Sequence, residues 1–78
     1  MKENLKALLR LEDQGLDLDL FYNISISTKE VALQGNMSYD TLKILGEKHG
    51  IIVQSELDSG FLRGNFEVDE VAFRVTLT

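Results

Sequence analysis

The side chains able to do chemistry are few, and they fall in three places. Asp17-Leu18-Asp19 puts two carboxylates on one side of an extended chain, a spacing that lets both reach one divalent cation of the oxygen-seeking kind. Two carboxylates supply too few ligands by themselves, and acidic residues at a strand entrance equally serve solubility, so no metal site is assigned. His49 is the only histidine, so any imidazole base or zinc site must be built on it. Its place in the last turn of a helix already favours it for interaction with the helix dipole.

The third place is a sheet face. Alternation puts Phe21, Asn23, Ser25, Gln34, Ile52, Gln54, Phe61, Arg63, Asn65, Arg74 and Thr76 on the side turned away from the apolar residues. Amides, hydroxyls, two arginines and two phenylalanines in one array suit a polypeptide partner or, through stacking and guanidinium contacts, a single nucleic-acid strand. A solvated sheet face has the same composition. The chain has no cysteine, which removes thiolate nucleophiles, thiolate metal sites and disulfides together. Neither a phosphate-cradling glycine loop nor a nucleophile elbow occurs. No catalytic residue, cofactor or metal ligand is therefore expected, and the chain reads as a non-enzyme.

The elements that must hold this face begin with a helix over about residues 2–13, where Leu5, Leu8, Leu9 and Leu11 form a broad apolar arc and Gly15 marks the stop. Strict alternation over 16–27 predicts a long strand, with Leu16, Leu18, Leu20, Tyr22, Ile24 and Ile26 inward and Asp17, Asp19 and Phe21 outward. Residues 30–36 return as a second strand with Val31 and Leu33 inward. Ser38 then caps a second helix whose end is signalled by Gly50 at C′, with Ile51 folding back on Leu45. Gly46 on its inner arc predicts a close backbone approach, and Ile44 stands outside that arc as a contact for another helix or for a partner. Strands follow over 51–57, 61–68 and 71–77, separated by turns at Asp58-Ser59-Gly60 and Asp69-Glu70.

The order α-β-β-α-β-β-β makes a single α+β domain over 1–78: two layers, with a five-stranded antiparallel sheet and both helices on one face. A right-handed crossover places the third strand beside the first, for a spatial order 2-1-3-4-5. The last strand, FRVTLT, carries only Arg74 as a charge; if it is an edge it is unprotected and open to a homodimer or to a partner's extended segment, and if it is tucked inside the sheet the second or fourth strand supplies the edge.

The net charge of −5 disfavours nonspecific phosphate binding and suits a partner with a basic surface. No apolar run is long enough for a membrane span, and a cytoplasmic protein is expected. These features together point to a small acidic protein-binding module, of the kind phages and mobile elements use as inhibitors or adaptors against nucleic-acid-handling proteins. Its contact residues are Asp17, Asp19, Phe21, Glu56, Phe61, Arg63, Glu67 and Arg74. The alternative is a single-stranded nucleic-acid-binding sheet surface using Phe21, Phe61, Arg63 and Arg74.

Overall fold

The computed structural model describes residues 2–77, leaving out the side chain of Asp58. It is an α+β fold in which α1 (Lys2–Asp13), a 3₁₀ turn (Leu18–Leu20), β1 (Phe21–Ile26), β2 (Glu30–Gly35), α2 (Tyr39–Lys48), β3 (Gln54–Asp58), β4 (Phe61–Val68) and β5 (Val71–Leu77) follow in that order. The expected helices and five strands are all present. Among the described residues no helix is long and apolar enough to cross a membrane.

The sheet order is β1-β2-β5-β4-β3, antiparallel except for the parallel pair β2–β5. This corrects the expected order 2-1-3-4-5 and the terminal edge strand. The crossover through α2 carries the chain to the far edge, and two hairpins walk back until β5 meets β2 in the middle. The reason lies in β5 itself: Val71, Phe73, Val75 and Leu77 are all buried, and a strand so apolar on one face gains most from neighbours on both sides. Opposite it on β4, Phe66 stacks on Phe73 with ring centroids 5.1 Å apart.

Both ends of α2 follow their signals. Ser38 Oγ accepts from the Thr41 amide at 3.2 Å. Gly50 takes φ +71°, and the Ile51 amide bonds back to the Gly46 carbonyl at 2.7 Å, as a Schellman stop requires. Leu42 presses into the sheet over Gly64, where an added Cβ would lie 2.5 Å from Leu42 Cδ2. The close approach at Gly46 is to the segment after the helix: a Cβ there would lie 2.8 Å from the Ile51 carbonyl oxygen and 2.9 Å from Val53 Cγ2. That segment enters the sheet only at Gln54, three residues later than the alternation suggested. Ile44 is largely exposed to solvent.

α1 lies over β2 and β5 with Asn4, Ala7, Leu8 and Leu11 buried. The Asn4 amide donates to the Ser27 carbonyl, tying the start of the helix to the end of β1. At its other end the Gln14 carbonyl bonds His49 Nε2 at 3.0 Å and Gly15 approaches Leu45, so the helices meet through their C-terminal turns. Leu5 and Leu9, expected on the apolar arc, stay exposed.

The first strand departs most from its pattern. Asp17 accepts from the Asp19 amide at 3.0 Å and caps the 3₁₀ turn, so Leu-Asp-Leu-Asp-Leu is spent on a turn and β1 begins at Phe21. The register then slips between Phe21 and Asn23, because Tyr22 is an extra, bulged residue. Phe21 therefore faces the helices, opposite Gly35, and is only 8% exposed, while Tyr22 projects outward. Gly35 permits this: an added Cβ would lie 2.7 Å from Phe21 Cα.

Two substitutions test these placements. Gly35→Ala drives a methyl into backbone that cannot move aside, and its loss of stability in urea unfolding is expected at the upper end of about 1–3 kcal/mol; a neutral change contradicts the close approach. Asp69 and Glu70 form the two-residue β4–β5 turn with φ of 53° and 67°, a left-handed backbone that disfavours side chains. Glu70→Gly is expected to stabilise by about 0.5–1 kcal/mol, and a loss in the same assay contradicts that turn.

Candidate functional site

The helices cover one face of the sheet and leave the other open. Register places across it Glu30, Ala32 and Gln34 from β2, Ala72, Arg74 and Thr76 from β5, Arg63, Asn65 and Glu67 from β4, and Gln54 and Glu56 from β3. Asn23 and Ser25 extend the array onto β1, opposite Gln34 and Ala32. Phe61 stands at the β4 end of this face, 46% exposed. A shallow depression of about 490 Å³ lies toward the β4–β5 turn end of this face, walled by Glu30, Asn65, Glu67 and Arg74, with Ala72 in its floor and Ile52 and Gln54 at the β3 rim. The floor exists because Ala72 is the smallest outward residue of the most central strand.

The electrostatics are those of paired charge with a carboxylate left over. Arg74 Nε lies 3.2 Å from a Glu30 carboxylate oxygen, and an Arg63 guanidinium nitrogen lies 3.8 Å from one of Glu56. Both pairs are partly exposed, where such contacts contribute little to stability, at most about 1 kcal/mol. Their effect is on recognition: each guanidinium already has a carboxylate beside it, and Glu67 adds a further negative charge.

Of the residues expected to make contacts, five share this face: Glu56, Phe61, Arg63, Glu67 and Arg74. Asp17 and Asp19 are exposed on the 3₁₀ turn that leads into β1, outside the sheet. Phe21 is withdrawn into the core by the bulge and is no part of an exposed surface. Two residues of the depression, Glu30 and Ala72, were not singled out by the sequence. The signal for Glu30 was available in its position at the start of the second strand, facing the side opposite Val31.

His49 is held between the helices by the Gln14 carbonyl, on the covered side of the sheet. Among the described residues no three His, Cys, Asp or Glu side chains converge as a metal cage would need. Asp17 has one carboxylate oxygen occupied by the Asp19 amide. Calcium or magnesium at about 1 mM is accordingly expected to leave the thermal midpoint unchanged, since a ligand stabilises only by binding the folded state. A rise of several degrees would place a cation site on this turn. Comparison with protein-family models, with curated proteins and with solved structures finds no match.

Proposed function

We propose that this chain is a non-enzymatic protein-binding module that presents the open face of its sheet to a partner with a basic surface. The observation that carries the reading is the character of that face: a shallow depression with carboxylates in its walls and Ile52, 81% exposed, at its rim, and further along the same face the half-exposed ring of Phe61. Protein interfaces combine apolar contacts with polar ones, and this face offers both. The net charge of −5 favours fast, salt-sensitive association with a basic partner. An inhibitor or adaptor of phage or mobile-element type, seated in the basic groove of a nucleic-acid-handling protein, has these properties.

The single-stranded nucleic-acid reading has less support. Stacking platforms use successive exposed rings and free cations. Here Phe21, Phe66 and Phe73 are buried on the helix side, and both arginines of the open face stand beside carboxylates.

The test is capture from a lysate, with and without nuclease treatment, with tagged wild-type protein, with Phe61→Asp and Glu67→Lys on the face, and with Ile44→Asp on the exposed side of α2 as control. One protein retained at fixed ratio, weakened about tenfold by either face substitution and unaffected by the control, is the expected outcome. Retention indifferent to the face substitutions, or lost on nuclease treatment, contradicts the proposal.

A further inference from the structure

Two strand edges are open, and they are unlike. β3 carries Glu56, whose charge opposes pairing with its own copy. β1, FYNISI, carries no charge at all, and apart from the bulge at Tyr22 nothing among the described residues blunts its hydrogen-bonding edge. Beside that edge lies apolar surface that the fold leaves uncovered. Ile24, on the helix side of β1, is 41% exposed because α1 lies over β2 and β5 and stops short of the edge strand. Leu5 of α1 is 43% exposed, next to the Asn4 side chain that ties the helix to the end of β1, and Leu20 is exposed at the strand's beginning.

We infer that a second copy of this chain occupies the β1 edge, pairing β1 with β1 antiparallel about a two-fold axis near Ile24 and joining two five-stranded sheets into one. The choice of a second copy rests on how the two ends of β1 match each other. Opposite residues of an antiparallel pair share a face, so a centre at Ile24 sets the two Ile24 side chains together on the helix side and Asn23 against Ser25 of the second copy on the open side. The same operation brings the beginning of each β1 to the end of the other. At the beginning stand the Asp19 carboxylate and exposed Leu20; at the end stand Lys29, in the β1–β2 turn, and exposed Leu5. The two-fold thus brings the turn that carries Asp19 and Leu20 in one copy to the end of the seam where Lys29 and Leu5 of the other stand.

Acid meets base and leucine meets leucine at both ends, as an isologous interface requires. Neither the Asp19 carboxylate nor the Lys29 ammonium has a side-chain partner within the described chain. The open sheet face is left free in such a dimer, so this inference concerns a different surface from the one proposed above.

Sedimentation equilibrium of the purified chain tests it, at up to about 100 µM, where an association of micromolar strength is saturated. The wild-type chain is expected to sediment at twice its monomer mass. Asp19→Lys and Lys29→Asp, each of which sets like charges at both ends of the interface, are expected to weaken the dimer at least tenfold, and the double swap to restore it to within about threefold. Because the chain has no cysteine, Ile24→Cys gives a direct check: residues facing each other across an antiparallel pair are close enough for a disulfide, and mild oxidation should yield covalent dimer. A wild-type chain that stays monomeric overturns the inference. So does a dimer that neither charge reversal weakens, or an Ile24→Cys variant that mild oxidation leaves without a cross-link.

Discussion

The pairing of β5 with β2 is the constraint on which the rest of the structure depends. β5 puts Val71, Phe73, Val75 and Leu77 on the helix side, and the register sets Val31, Leu33 and Gly35 beside Phe73, Val75 and Leu77. Burying a side chain of this size contributes about 1.5–3 kcal/mol, and only an interior strand receives cover from both neighbours as well as from above. Once β5 is interior, β1 and β3 must be the edges. The helices then divide the cover, with α1 over β2 and β5 and α2 over β4, where Gly64 gives Leu42 room to approach.

Local signals carried the helices and the last two strands. Ser38, Gly50 and Ile51 mark the ends of α2 through side-chain and backbone hydrogen bonds that lie within a few residues of one another, so the sequence there determines the geometry directly. The alternation of β4 and β5 is equally local. Pairing order is not: nothing near Phe73 names Val31 as its neighbour, and the parallel contact arises only when the crossover and both hairpins are in place. The start of β1 misled for another reason. Leu16-Asp17-Leu18-Asp19-Leu20 alternates as a strand does, yet Asp17 turns the chain by taking the Asp19 amide. The bulge then exchanged Phe21 and Tyr22 between faces, and its one mark in the sequence is on another strand, at Gly35. Most of the open face was therefore legible, since β2 to β5 kept their alternation, while its expected β1 aromatic was lost.

The interior position of β5 also decides which surfaces are free to act. It makes Ala72 the floor of the depression, brings Arg74 between Ala32 and Asn65, and sets Glu30 and Glu67 on either side of Ala72. It removes the terminal strand from consideration as a docking edge and gives that part to β1, whose lack of charge then becomes significant. The open face and the β1 edge point in different directions from one sheet, so a partner on the first and a second copy on the second are compatible.

The measurement that bears most directly on this account is residue-resolved amide hydrogen exchange of the native protein. An interior β5 between β2 and β4 requires the amides of Val71–Leu77 to be among the slowest in the chain, opening only with global unfolding, and β3 to exchange much faster as an exposed edge. Fast exchange along β5, with slow exchange along β3, would contradict the strand order and with it both surfaces derived from it.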